Sequence, residues 1–172
     1  AFPFLKALGY GAGKAIIEKN IIEKISSITK LARERSVKVY LPVDFVIAEK
    51  FDGRAETKVV TFQEIPENWI ALDIGPASTK LFSEALQNAK TIIWNGPMGA
   101  FEIDAFSRGT YAMVETVVDA HALTIIGGGD TDRAFHKMGE SYKVSFISTG
   151  GGAFLELLEG KELPGIAALT NK

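Results

Sequence analysis

Hydrophobic positions along the chain change period several times. Asn20 followed by Glu23 reads as an N-cap with its acidic third residue. Ile21, Ile25, Ile28 and Ala32 then recur at helical spacing up to Arg35, whose charge suits a helix C-terminus. Val37-Lys38-Val39-Tyr40-Leu41 predicts a short strand stopped by Pro42. The charged stretch from Glu49 to Glu67 reads as a surface excursion with a short strand at Val59–Phe62. Ala71-Leu72-Asp73-Ile74 runs into Gly75-Pro76, and Ser78 opens an amphipathic helix through Leu81, Phe82, Ala85, Leu86 and Ala89. The second half then repeats one strand–loop–helix phrase. Thr91–Trp94, Leu123–Ile126 and Val144–Ser148 predict strands. The loops after them are Asn95-Gly96-Pro97-Met98-Gly99, Gly127-Gly128-Gly129 and Thr149-Gly150-Gly151-Gly152. Helices follow over Asp104–Val118, Asp130–Met138 closed by Gly139, and Ala153–Glu159 closed by Gly160.

Solid β-branched runs alternating with helices predict an α/β fold: a doubly wound, Rossmann-like parallel sheet with helices on both faces, in a single domain over residues 1–172. In such sheets ligands sit beyond the carboxyl ends of the strands, where loops enter helix N-termini. All three glycine-rich loops fall at that end. Free N–H groups and the helix dipole there make an anion site that requires no cationic side chain.

Composition narrows the class. With 19 Lys+Arg against 21 Asp+Glu and a net charge of −2, the chain has no basic excess to favour nucleic acid or an anionic membrane. No apolar run reaches the roughly 18–20 residues of a membrane span. Ala1–Gly9 lacks the features of a secretory signal, and the absence of Cys suits a reducing, cytoplasmic setting.

The loops differ in what they offer. Gly9-Tyr10-Gly11-Ala12-Gly13-Lys14-Ala15 imitates a phosphate-binding Walker A loop, but its spacing is one residue short, and Ala15 stands where Ser or Thr would hold Mg²⁺. It reads as an ordinary turn between helices. Gly127-Gly128-Gly129-Asp130-Thr131 has the right context, with a β-run before it and a helix after. Three glycines exceed what a cap needs, and Asp130 can hold Mg²⁺ beside phosphate oxygens. Thr149-Gly150-Gly151-Gly152-Ala153 offers N–H groups without an acid, and close helix–sheet packing explains it equally well. Asn95 to Glu102 joins an amide, a rigid turn and a carboxylate able to accept ribose hydroxyls; the plain alternative is a surface Glu near a helix start. Trp94 reads as core, and His121 and His136 as non-catalytic.

Several blocks occur together in order: Leu41-Pro42-Val43-Asp44, Leu72-Asp73-Ile74-Gly75-Pro76, Trp94 to Glu102, Ile125 to Thr131, Ser148 to Ala153, and Leu157 to Gly165. Taken together, the chain resembles the C-terminal, nucleotide-binding domain of phosphoglycerate kinase over essentially its whole length. The resemblance implies reversible, Mg²⁺-dependent phosphoryl transfer between 1,3-bisphosphoglycerate and ADP, giving 3-phosphoglycerate and ATP, in glycolysis. By position it implies Gly75 and Met98 at adenine, Glu102 at ribose and Asn95 near the phosphates. It further implies Gly128, Gly129, Asp130 and Thr131 on the phosphate chain, with Asp130 also serving Mg²⁺. Gly150, Gly151 and Gly152 would support the phosphoryl group in flight. No general base is needed, because such transfer rests on positioning and charge neutralisation.

The family's N-terminal domain, which binds 3-phosphoglycerate, and the Gly-Gly-Ala-Lys strand that opens its nucleotide domain have no counterpart in these residues. The chain also carries Pro3, Ala100, Phe146 and Phe154 where the family usually has Thr, Val, His and Ser. The expectation is a domain truncated at its start and catalytically silent alone, and a monomer at full length. The alternative is a non-catalytic module that binds adenine nucleotides. A dinucleotide-dependent oxidoreductase is poorly supported, since no G-x-G-x-x-G follows a β-run.

Overall fold

The computed structural model describes residues 1–169 and divides into two compact units. The first comprises Ala1–Ala85 and Met98–Met113; the second comprises Leu86–Pro97 and the residues from Val114 onward.

The first unit opens with α1 (Phe2–Ala7) and α2 (Lys19–Glu34), followed by β1 (Asp44–Ala48), β2 (Thr57–Thr61) and β3 (Ile70–Ile74). These strands form an antiparallel sheet in the order β2-β1-β3, with a register shift between Val46 and Ile47. Phe45, Ile47, Leu5 and Ile65 are buried together on it, and Phe2 stacks on Phe45 with ring centroids 5.4 Å apart. A second cluster joins Ala48, Leu72 and Phe106. Each of the buried Leu, Ile and Phe side chains contributes roughly 1.5–3 kcal/mol by leaving water.

Three expectations require correction here. Val37–Leu41 is not a strand. A β-rich run becomes a strand only where a ladder partner pairs with it, and neither β1, β2 nor β3 pairs with this run. The strand falls instead at Asp44–Ala48, past Pro42. The sheet of this unit is antiparallel, so the parallel arrangement holds for only part of the fold. Helix α2 begins at Lys19 with Glu18 as its N-cap, and no side-chain cap bond forms, so Asn20 lies inside the helix. The strand expected at Val59–Phe62 is present as β2.

Helix α3 spans Pro76–Leu86. The helix expected over Asp104–Val118 is broken: Asp104–Phe106 forms a 3-10 turn, and α4 runs over Arg108–Val118.

The second unit contains β4 (Thr91–Asn95), β5 (Leu123–Gly127), α5 (Gly129–Met138), β6 (Phe146–Ser148), α6 (Gly151–Leu158) and α7 (Pro164–Ala167). Its strands form the expected parallel sheet, flanked by helices, with β5 central. Ile92, Trp94, Ile126, Ala134 and Phe135 are buried, and Trp94 meets the edge of Phe135 at 5.5 Å. Trp94 is core, as expected. Gly139 ends α5 in a left-handed conformation, its N–H donating to the His136 carbonyl.

Candidate functional site

In the second unit the sheet register sets Asn95 beside Gly127, and Gly127 beside Ser148, in one row at the carboxyl end of the three strands. The loops leaving this row meet. Gly128 N–H donates to the Ser148 carbonyl at 3.0 Å, which ties the end of β5 to the end of β6. The next loop passes so close that a Cβ on Gly151 would lie 2.8 Å from Gly128 Cα. The same Cβ would lie 3.3 Å from Asn95 Nδ2, and one on Gly128 would lie 3.4 Å from that nitrogen. Asn95, Gly128 and Gly151 therefore share one rim. Gly128 has φ +91°, a left-handed conformation that disfavours any side chain.

Both helices that start here lack a side-chain cap: Gly128 is the N-cap of α5 and Gly150 that of α6. Their first N–H groups and the positive ends of their dipoles remain available to an anion. Gly129 and Gly152 are exposed, and a Cβ on either would meet no protein atom within 4 Å.

The side chains around the rim divide into two kinds. Thr131 is fully buried, and its Oγ1 accepts the Gly96 N–H at 2.8 Å. Trp94 Nε1 donates to the Gly96 carbonyl at 2.6 Å, so the Asn95–Gly96 turn is held from both sides. Asp130 is exposed in the first turn of α5 and pairs with Arg133 at 3.0 Å. Among the described residues no group of three acidic, His or Cys side chains gathers to form a metal cage. One carboxylate beside phosphate oxygens is nevertheless a donor set that suits Mg²⁺, which takes one or two carboxylates and keeps its waters. Phe154 lies against Gly127, where a Cβ would come within 2.8 Å of its ring, whereas Phe146 is 60% exposed.

In the first unit, Gly75 is buried at the end of β3, Met98 is half-buried and Glu102 is exposed. A buried carboxylate lies against Gly75: a Cβ there would fall on Asp44. Asp44 accepts the Ala77 and Ser78 N–H groups at 3.0 and 2.7 Å, which caps α3 from a neighbouring strand. Ser78 Oγ donates back to Asp44 at 2.6 Å and accepts Val43 N–H at 2.8 Å. Asp73 does the same for α4. Its Oδ2 accepts the Gly109 N–H at 2.7 Å and its Oδ1 the Ile74 N–H at 2.9 Å. Burial pushes the Asp73 carboxyl up to about 6, against the opposing pull of those two donors. Thr110 Oγ1 accepts both Met98 and Gly99 N–H groups at 3.1 Å.

Sequence reasoning did not single out Asp44, Asp73 or Thr110. An acid inside the apolar run Ala71–Ile74 was the available signal. The segment Gly9–Ala15 links α1 to α2 as a turn packed on Trp69, whose carbonyl accepts Lys14 N–H at 2.9 Å. His121 and His136 are both exposed.

Comparison with known proteins gives the family. The family model described as phosphoglycerate kinase matches residues 1–161. The chain belongs to the phosphoglycerate kinase family. It is 66% identical over 171 residues to the phosphoglycerate kinase of Geotalea uraniireducens (strain Rf4), covering 99% of this chain and 43% of that protein. It is 66% identical over 169 residues to the enzyme of Geobacter metallireducens, covering 98% and 42%. Among solved structures, phosphoglycerate kinase from Coxiella burnetii superposes with a TM-score of 0.90 at 40% identity, covering 98% of this chain and 44% of that one. Phosphoglycerate kinase from Pyrococcus horikoshii OT3 gives 0.78 at 29%, covering 97% and 42%. The chain thus spans less than half the length of these relatives. No helix among the described residues is long and apolar enough to cross a membrane.

Proposed function

We propose that the chain supplies the nucleotide-binding half of a phosphoglycerate kinase, in which ADP and ATP exchange a phosphoryl group with 1,3-bisphosphoglycerate and 3-phosphoglycerate. The observation that carries this reading is the convergence of two uncapped helix N-termini, α5 and α6, with Asn95 on one rim. An N–H cluster of this kind fits the charge of a polyphosphate, and its donors are fixed before the ligand arrives.

In this reading the N–H groups of Gly129 and the first turn of α5 hold the phosphate chain, and Gly128, whose own N–H is tied to the Ser148 carbonyl, lets the phosphates approach closely for want of a side chain. The N–H groups of Gly150, Gly151 and Gly152 face the phosphoryl group that moves. Asn95 directs its amide to the same charge. Thr131 acts from behind by holding Gly96 in place. Asp130 is the residue that would hold Mg²⁺, exchanging its contact with Arg133 for the ion. That ion supplies neutralisation of phosphate charge. Gly75 and Met98 remain the proposed adenine contacts and Glu102 the ribose contact, on the strength of the family blocks they sit in. 3-Phosphoglycerate would be bound by sequence beyond these residues, the setting would be the cytoplasm, and the full-length protein would be a monomer.

Calorimetric titration tests this. ADP and ATP with Mg²⁺ should bind, NAD should not, and the chain alone should consume no ATP when 3-phosphoglycerate is added. Failure of both adenine nucleotides to bind refutes the reading, and turnover by the chain alone refutes its dependence on a further segment. Binding without turnover even when the remainder of the family's sequence is supplied would leave a non-catalytic adenine-nucleotide module instead.

A further inference from the structure

Asp73 is 3% exposed, and its carboxylate is the point on which three separate backbone segments meet. Its two oxygens take the Ile74 and Gly109 N–H groups. A Cβ on Gly99 or on Gly109 would fall on this same carboxylate, so two glycines bracket it and no other side chain fits between. The residue after Gly109 is Thr110, fully buried, whose hydroxyl oxygen takes the Met98 and Gly99 N–H groups. Ala100 N–H donates to the Leu72 carbonyl at 2.8 Å, one residue before Asp73. Fixing Gly109 therefore fixes Thr110, and Thr110 fixes the Met98–Gly99 turn. Gly75 follows Ile74 directly, so the same carboxylate also orders the backbone leading into it.

We propose that Asp73 is a positioning residue for the adenine-binding elements, acting through Gly109 and Thr110 on the Met98–Gly99 turn and through Ile74 on Gly75. This rests on the nucleotide-binding reading above and adds the residue that holds the base side of the site in shape. The phosphate-holding loops are ordered by different partners, Thr131 and the Ser148 carbonyl. Loss of Asp73 should therefore affect the base and phosphate ends of the ligand unequally, which a general loss of stability would not do.

The test uses two probes, ADP and inorganic tripolyphosphate, on the whole chain. Asp73→Asn keeps the shape but sets an NH₂ against one of the two backbone donors. ADP affinity should fall about tenfold, as expected for one broken hydrogen bond to a charged group, while tripolyphosphate affinity stays unchanged. Thr110→Val, close in shape but without an acceptor, should show the same split, and Thr110→Ser should restore ADP binding. The Thr110 pair carries the test if Asp73→Asn does not fold. Independently of any ligand, amide hydrogen exchange at Met98 and Gly99 should quicken in Asp73→Asn and Thr110→Val, and stay unchanged at Gly96 and Gly128. Wild-type ADP affinity in both variants, or equal loss of ADP and tripolyphosphate, overturns the proposal. If the unaltered chain binds neither probe, the nucleotide reading itself fails. The exchange measurement then shows separately whether Asp73 orders the turn.

Discussion

Gly129 and Gly152 allow the anion site to be separated from the stability of the fold. Both are exposed residues in the first turns of uncapped helices, and a Cβ on either meets nothing within 4 Å. Packing does not demand glycine at either position. Replacing Gly by Ala inside a helix stabilises by roughly 0.5–1 kcal/mol, since the unfolded chain has less freedom to lose. The pair Gly129→Ala and Gly152→Ala should then add about 1–2 kcal/mol at most, a rise in melting temperature on the order of 2–8 °C. A phosphate approaching these N–H groups, however, would meet two new methyl groups. Losing even one hydrogen bond to a charged group costs about 1.5–3 kcal/mol, so tripolyphosphate and ADP should bind roughly 10- to 100-fold more weakly. Thermal melting and calorimetry on the same sample read both effects. A variant that melts higher and binds poorly is the expected result. A variant that melts higher and binds tripolyphosphate as well as the unaltered chain places the anion elsewhere and refutes the reasoning. A variant that melts lower contradicts the open space seen at these positions.

Two further outcomes follow from the same geometry. Gly151→Ala presses a methyl group 2.8 Å from Gly128 Cα, a backbone atom that cannot rotate away, so chemical denaturation should show a loss of about 1–3 kcal/mol. Stability unchanged by that substitution would mean the two loops are not in contact. Asp73 sets a pH dependence with an unusual sign. Burial raises its carboxyl from 3.8 to about 6, so between those pH values the folded chain holds a proton that the unfolded chain has released, and at pH 7 both are ionised. Its contribution to stability is greatest below the unfolded value and is lost as pH rises through the folded one. The size is roughly 3 kcal/mol, from about two pH units at 1.36 kcal/mol each. Urea unfolding should therefore show wild type gaining on Asp73→Asn as pH falls from about 7 to about 4, and a constant difference across that range would refute the assignment.

What the sequence made legible depended on how local each signal was. Leu123–Gly127 and Thr91–Asn95 were readable because uninterrupted β-branched runs lie between unmistakable turns and helices. The rim of Asn95, Gly128 and Gly151 was readable because parallel strands put all their carboxyl ends on one side, so the loops had to gather there. Val37–Leu41 misled for the opposite reason. Its composition is that of a strand, but pairing is decided by tertiary contacts that composition does not reveal, and no strand of the β2-β1-β3 sheet pairs with it. Asp44–Ala48 was overlooked because the charged stretch that follows hid a five-residue buried run. Asp73 and Asp44 escaped notice because their roles depend on the approach of Gly109 and of Ala77, which lie 36 and 33 residues further along the chain.

The two aspartates bear on why the glycine loops should bind anything. Helices α3, α4, α5 and α6 each begin just after a strand end or a turn, with first-turn N–H groups that their own carbonyls do not satisfy. In the first unit the chain supplies the anion itself: Asp44 accepts from the start of α3 and Asp73 from the start of α4, each within 3.0 Å. In the second unit no side chain caps α5 or α6. Helix α6 has no acid in its first turn, and the exposed Asp130 of α5 pairs with Arg133 instead of folding back on its own helix. Had these glycines served only tight packing, a neighbouring strand could have capped both helices as it does α3. Leaving two glycine-capped N-termini open within contact of each other forgoes roughly a few tenths of a kcal/mol at each cap. Water can satisfy an open terminus, and two open termini on one rim also offer several donors to the charges of one polyphosphate, which is what the Gly129 and Gly152 variants test.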